Sequence, residues 1–501
     1  MSGKREFGDY QTPEDFAEQV CLYLKDKRGI NPSAVVEPTC GLGNFLKSAL
    51  VFDAGEYYGI EINPDYCKCC EQTIKDSRVK IINSDIFSFS SKEIIKDQSQ
   101  VLIVGNPPWA TNSTLSAMGS ENLPEKRNFK GLVGIEAITG ASNFDICEYI
   151  ILRLIEEYKE TNAVIAMLCK TSVARNIFEE IKRQNLSFSV FDMLEFNTVK
   201  VFGVSASACV LIIQLSDQGE SIDTCRVYDW KKPDVIKTQF GYANGQLYSD
   251  LMSTADDFDG KSCFEWRQGV KHDCARVMEL TKKDGNLING DKDEVKIETD
   301  LVFPLIKSSM FKSPVIHDFK KYVIVTQKKP REDTSHLEQE VPQTWEYLMA
   351  NKERFDNRRS SIYRGAPDFA MFGVGDYSYA RYKVGVSGFY KTPLFSVLYS
   401  DDGKPVMTDD TSYFIDFSEY DLAYAAMLLL NSKRVQEFLS SIAFLDAKRP
   451  YTKKVLIRLD FKKIIETVTV EELTETEEKL KLDPYITQSI YEQFRSYVMQ
   501  Q

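Results

Sequence analysis

Ala34-Val35-Val36-Glu37-Pro38-Thr39-Cys40-Gly41-Leu42-Gly43-Asn44-Phe45 reads as a short buried strand, a glycine turn and a helix that begins near Asn44. Two glycines at such a turn let the backbone approach a ligand where a side chain would block it. Working outward, short apolar runs at 57–61, 79–83, 101–105, 163–169 and 208–214 predict further strands, and amphipathic stretches at 64–75, 144–158 and 174–183 predict helices between them. That alternation predicts an α/β domain on a mostly parallel sheet with helices on both faces. Ligands on such sheets bind beyond the carboxyl ends of the strands, so the residues that follow each strand are the ones to inspect.

At 501 residues the chain is too long for one ordinary core, and 43% hydrophobic with 27% charged residues describes a globular protein. No apolar run approaches the roughly 20 residues of a membrane helix, and the polar start MSGKREFGDY is no signal peptide, which points to the cytoplasm and to no membrane partner. Eleven scattered cysteines suggest reduced thiols. Cys67-Lys68-Cys69-Cys70 has no matching pair elsewhere and only three histidines to draw on, so it is expected on a helix and no metal site is expected. The net charge of −12 disfavours nucleic acid, yet residues 301–400 hold 15 Lys+Arg against 10 Asp+Glu, a net of +5 that leaves −17 on the remainder. Composition turns polar at Ser216-Asp217-Gln218-Gly219-Glu220-Ser221, which places a domain boundary between 1–220 and 221–501. The second part is irregular and rich in Tyr, Phe, Lys and Arg, with strands expected at 322–327 and 382–387 and a helix at 422–439.

Acids stand at the ends of the second and third strands. Glu61 can accept the two hydroxyls of a ribose, and Asp85, in Asn83-Ser84-Asp85-Ile86, can take a hydrogen bond from an adenine amino group. The candidate cofactor site is therefore Glu37, Pro38, Thr39, Cys40 and Gly41 of the turn, with Glu61, Ile62, Asp85 and Ile86. Taken singly, each also fits a structural glycine turn or a solvent-facing acid; their order at successive strand ends argues for a site. Leu46 occupies the third position of a dinucleotide-type glycine pattern, so S-adenosylmethionine suits the loop better than a nicotinamide dinucleotide. Upstream, Thr12 as N-cap, Pro13 at the first helical position and Asp15 make a good helix start on structural grounds alone.

The fourth strand runs into Asn106-Pro107-Pro108-Trp109. Two prolines hold Asn106 extended and keep carbonyls out of any helix ladder. The Asn106 side-chain oxygen and the Pro107 carbonyl can accept both hydrogens of a planar amino group and favour a more tetrahedral, nucleophilic nitrogen. Trp109 offers a stacking face that holds the ring in line for attack. No histidine base is needed, and none occurs in the first 271 residues. Asn106 is also expected among the cofactor-binding residues.

These residues resemble the gamma-class amino-methylating DNA methyltransferases, in which cofactor motifs precede the catalytic motif and target recognition comes last. The likeness covers Thr12-Pro13, the turn at 37–45, Glu61, Asp85, Asn106–Trp109, Asn143-Phe144-Asp145, the strand at 163–169 and Val201-Phe202-Gly203-Val204-Ser205. It implies a Rossmann-like S-adenosylmethionine-dependent methyltransferase domain, a C-terminal mixed α+β target recognition domain, double-stranded DNA as substrate and transfer to N6 of adenine. It also implies that Thr12 touches S-adenosylmethionine and that Phe202 stacks on an extruded base opposite Trp109; as a plain core residue Phe202 fits equally well. Such a base must leave the duplex, and the polar segment 110–142 is expected to close over it. Lys170-Thr171 departs from the family, many of whose members have proline there. Arg and Lys interleaved with Tyr at 303–308, 358–363, 372–377 and 446–454 suit phosphate contact and groove insertion. No nuclease pattern stands out, so any restriction endonuclease would be a separate protein. Transfer to cytosine N4, or to an RNA or protein amino group, uses similar chemistry and stays open at this level.

Overall fold

The computed structural model describes residues 11–97, 99–110, 145–251 and 258–501. The segment expected to close over a base, and Asn143 and Phe144, lie outside the described residues apart from Ala110. The chain forms two compact units, Met1–Leu251 and Met252–Gln501.

The first unit is one sheet of ten strands: β1 (Ala34–Glu37), β2 (Glu56–Glu61), β3 (Val79–Asn83), β4 (Val101–Gly105), β5 (Val164–Lys170), β6 (Phe188–Asn197), β7 (Ser207–Leu215), β8 (Thr224–Asp229), β9 (Lys232–Ala243) and β10 (Gln246–Tyr248). Their spatial order is 10-9-8-6-7-5-4-1-2-3. Strands 1 to 5 are parallel, and β7 runs antiparallel to both β5 and β6. β1 has β2 on one side and β4 on the other, so the order reverses at its carboxyl end and opens a crevice there. β1 and β4 are buried along their whole length, as strands covered on both faces must be.

The helices of this unit include α1 (Glu14–Leu22), α2 (Asn44–Ser48), α3 (Pro64–Thr73), α4 (Ile146–Tyr158), α5 (Thr171–Arg183) and α6 (Thr198–Phe202). Cys67 and Cys70 face inward from α3. The residue capping α1 is Pro13, whose carbonyl accepts from Phe16 N at 3.1 Å and Ala17 N at 3.0 Å; Thr12 stands one place too early to cap.

Two further expectations for this unit are revised. β6 went unread because Asp192 and Glu195 interrupt its apolar run. Asp192 is nevertheless buried, held by Arg28 and by two bonds from Arg226 at 2.8 and 2.9 Å. A carboxylate can sit in a central strand when two guanidiniums neutralise it. The polar stretch at 216–221 does not leave the domain either. Ser216 N donates to Ser187 O and Phe188 N to Glu220 O, so the stretch folds back onto the start of β6, and β8 to β10 continue the same sheet.

The second unit holds a five-stranded sheet, in spatial order Arg267–Gln268, Ser412–Phe417, Tyr382–Ser387, Ser396–Leu398 and Val315–Ile316. A six-stranded sheet runs Glu294–Val295, Asn286–Ile288, Glu279–Lys283, Lys321–Ile324, Val302–Ile306 and Met407–Thr408. The strand expected at 322–327 stops at Ile324. The helix expected at 422–439 is two, Tyr420–Asn431 and Lys433–Ile442, because the Asn431 side chain turns to bond both N–H and C=O of Phe395 and Ser432 breaks the ladder. Among the described residues no helix is long and apolar enough to cross a membrane.

Candidate active site

Glu37 ends β1 fully buried, and its Oε2 accepts from Leu46 N at 2.8 Å, so it holds the first turn of α2. Burial pushes its carboxyl well above the usual range, against the Leu46 N–H and with help from the nearby Cys70 and Glu61. The structure thus sets Glu37 beneath the turn and against the end of β4, where a Cβ on Gly105 would lie 3.3 Å from Glu37 Cγ.

Above it, Pro38 and Cys40 are buried, Cys40 N bonds Ile60 O at 2.8 Å, and Gly41 donates to Glu61 Oε2 at 2.8 Å. Gly41 has φ +52°, and a Cβ there would stand 2.8 Å from the Gln11 amide. The left-handed backbone favours glycine here, and the Gln11 amide would have to move for any larger residue. Glu61, 9% exposed, spends its other oxygen on Asn63 N at 2.8 Å. Ile62 beside it is 50% exposed, an apolar side chain left open next to a carboxylate. Asp85 is half-buried and shapes its own turn through Phe87 N at 2.9 Å, with Ile86 buried behind it. Helix α4 fixes that turn: Arg153 donates to the carbonyls of Phe87 and Phe89, and Tyr149 packs on the Phe87 ring at 5.0 Å.

Two hydroxyls around this loop, Thr12 Oγ1 and Thr39 Oγ1, are buried without a partner among the described residues. Each such group costs about 1–3 kcal/mol when left unmade. Thr12 itself is 5% exposed. Orphaned hydroxyls, a paired carboxylate, an open isoleucine and a glycine backbone fit a polar nucleoside ligand such as S-adenosylmethionine.

β4 delivers the Asn106–Trp109 loop beside this cradle. Asn106 and Pro108 are half-buried, Pro107 is buried and Trp109 is 8% exposed. The indole Nε1 donates to Leu168 O at 3.4 Å on the adjacent β5, and Ile146 N at the start of α4 donates to Ala110 O at 3.0 Å. Asp145 caps α4 through Cys147 N at 3.1 Å and accepts from Lys170 Nζ at 2.8 Å. Phe202, at the end of α6, meets Trp109 edge-on, with centroids 5.5 Å apart and planes at 73°. A base stacked between two rings needs about 7 Å, twice a contact of roughly 3.5 Å. The two rings come together, as expected, but fill the gap themselves.

Sequence reasoning missed Gln11, which bonds Leu42 N at 3.2 Å, Asn44, which bonds Thr12 O at 2.7 Å, and the Lys170–Asp145 pair. Their signals were adjacency to Thr12-Pro13, the helix start after Gly43 and the departure at Lys170. Among the basic stretches of the second unit, several cations are occupied. Lys307 pairs with Glu279 at 2.8 Å, and Arg449 donates to Asp410 O and lies over the Phe389 ring.

No family model matches the chain. It is 38% identical over 482 residues to the Type II methyltransferase M.NspV of Nostoc sp., covering 93% of this chain and 98% of that protein. The Type IIL restriction-modification enzyme MmeI, solved in complex with DNA, matches 97% of this chain and 75% of its own at 13% identity with a TM-score of 0.52, a likeness of fold. The type IIG restriction endonuclease BpuSI matches 99% of this chain and 67% of its own, at 12% identity and a TM-score of 0.35.

Proposed function

The chain belongs to the type II methyltransferases, S-adenosylmethionine-dependent enzymes of restriction-modification, and from that membership we propose that it methylates N6 of an adenine turned out of duplex DNA. One observation carries the adenine reading: Asn106-Pro107-Pro108-Trp109 closes β4 immediately beside the glycine cradle, with its indole anchored on Leu168.

S-adenosylmethionine supplies an electrophilic methyl group on a sulfonium when bound. Glu61 uses the lone pairs left over from Gly41 and Asn63 to accept ribose hydroxyls; a carboxylate has about four such sites. Asp85 takes the adenine amino group of the cofactor, Ile62 covers its ring, and Thr12 and Thr39 bond its polar end. Asn106 Oδ1 and the Pro107 carbonyl accept the hydrogens of the target amino group and draw its nitrogen out of conjugation, so no side-chain base is needed. Trp109 and Phe202 part to admit the base, which costs a few kcal/mol to extrude. The second unit supplies target recognition.

The test is incubation of the protein with S-adenosylmethionine and unmethylated genomic DNA, followed by single-molecule sequencing. A recurrent methyladenine motif that vanishes with Asn106→Ala is expected. Methylcytosine at the motif, or label only in RNA, refutes the adenine assignment.

A further inference from the structure

Two basic loops of the second unit are both tied to the segment 368–371, which follows them in the chain. Thr326 Oγ1 donates to Phe369 O at 2.8 Å, Thr334 Oγ1 to Asp368 O at 2.6 Å, and Met371 N to Gln327 Oε1 at 2.8 Å. These bonds hold the loop at 327–334 against residues 368–371.

The second loop is tied to the same segment through Arg358. Its guanidinium donates to Phe355 O at 3.0 Å, His272 O at 3.2 Å and Ala370 O, and lies 3.7 Å over the Tyr363 ring. Arg358 is therefore a fastener. It secures the turn Ser361–Tyr363 and leaves the flanking Arg359 and Arg364 exposed, with no acidic partner among the described residues.

The first loop is equally constrained. The Glu332 carboxylate accepts from the backbone N–H of Lys328 and of Lys329, the latter at 3.1 Å, and the Glu332 carbonyl accepts from Gln327 Nε2. Arg331 has φ +62°, a left-handed conformation that costs a non-glycine residue about 1–2 kcal/mol. Lys328, Lys329 and Arg331 are all exposed and have no acidic side chain bonded to their charges among the described residues. The neighbouring acids are otherwise engaged: Glu332 on backbone, Asp333 on Ser335, and Asp368 on Lys352.

A protein of net charge −12 has here five exposed cations outside any ion pair among the described residues, against the two carboxylates Glu332 and Asp333, on two loops whose backbones are fixed in advance. Fixing them beforehand removes the ordering cost that flexible lysine and arginine tails would bring to binding. We propose that Lys328, Lys329, Arg331, Arg359 and Arg364 form one preorganised platform that grips the phosphate backbone of duplex DNA. This inference rests on the DNA substrate proposed above. Cations on phosphate set position and affinity, and the sequence is read elsewhere.

The test is binding of the full-length protein to a DNA duplex carrying its methylation motif, by fluorescence anisotropy across salt concentrations. Each phosphate neutralised contributes about 0.9 to the slope of log K against log salt. Arg359→Ala/Arg364→Ala should flatten that slope by about 1.8, and Lys328→Ala/Lys329→Ala/Arg331→Ala by about 2.7. Both should weaken cognate and random duplexes alike, with Arg359→Lys/Arg364→Lys largely restored. S-adenosylmethionine binding and thermal midpoint should stay unchanged, since the substituted side chains are exposed. Unchanged slopes in both variants overturn the platform while leaving the methyltransferase reading intact. Equally, a changed motif without a changed slope makes the arginines base readers and overturns it. A wild type that binds no duplex overturns both.

Discussion

Glu61→Gln isolates one carboxylate as the hinge of the proposed cofactor cradle. Both its oxygens are in use at 2.8 Å, one on Gly41 N and one on Asn63 N, in a side chain only 9% exposed. Glutamine has nearly the same shape but a single acceptor. Whichever N–H the amide oxygen serves, the amide nitrogen faces the other N–H as a second donor. The variant therefore loses one hydrogen bond to a charged group, worth about 1.5–3 kcal/mol. Re-ordering the released loop when S-adenosylmethionine binds then costs that amount, which at 1.4 kcal/mol per tenfold weakens binding by about 10- to 100-fold. The readout is calorimetric titration with S-adenosylmethionine, beside circular dichroism and a melting curve to establish that the sheet is intact. Affinity within twofold of wild type in a folded Glu61→Gln protein would refute the reasoning, since it would mean that the second backbone bond is not needed to hold the loop. Affinity for duplex DNA should not change.

Lys170→Ala should lower kcat about tenfold while KM for S-adenosylmethionine stays within twofold, because Lys170 acts through Asp145 and the Ile146–Ala110 bond on the loop proposed to be catalytic. Recovery with Lys170→Arg separates the ion pair from simple loss of packing; steady-state kinetics with both substrates varied would decide it. Lys383, 1% exposed, has its ammonium pulled down to about 7 by burial, an effect that Asp416 across the strand pair opposes. Because the folded value lies below the unfolded 10.5, the unfolded chain carries the extra proton between about pH 7 and 10.5, and wild-type stability rises with pH across that window. Lys383→Met lacks that rise, so its gain in thermal midpoint should be largest at or below pH 7 and fade toward pH 10.5; a gain independent of pH would contradict the burial argument.

What the sequence made legible was whatever depends on local pattern. β1, β3 and β4 are where their apolar runs put them, and the glycine turn, Glu61, Asp85 and Asn106 all sit at strand ends as the alternation required. β6 was hidden because its charge is neutralised from outside the strand: Arg28 and Arg226 lie 164 and 34 residues from Asp192. No window around Phe188–Asn197 contains that information. The boundary was misplaced for a related reason. Ser216–Ser221 has linker composition, yet its backbone groups are spent on Ser187 and Phe188. Polarity marks a turn, and whether the chain leaves the sheet after it is decided by partners further on. Likewise Thr12 looked like a cap because Ser/Thr before Pro commonly is one. In the fold its hydroxyl is buried beside the cofactor loop and caps nothing.

The net charge misled in a more instructive way. A phosphate at the surface responds to charges within about a Debye length, roughly 8 Å at physiological ionic strength, and not to the total on the chain. The relevant quantity is therefore which cations lack a nearby anion. That cannot be counted from composition, since the +5 of residues 301–400 includes Arg358, spent on three carbonyls, and Lys307, spent on Glu279. Once those are removed, five of the unspent cations lie on two loops that the fold joins through residues 368–371. Arg358 shows why such a stretch is hard to read: of two adjacent arginines, the first builds the surface and only the second is offered by it. Substituting Arg358 would therefore disturb the platform without ever having touched its ligand, whereas substituting Arg359 removes a contact and leaves the loop standing.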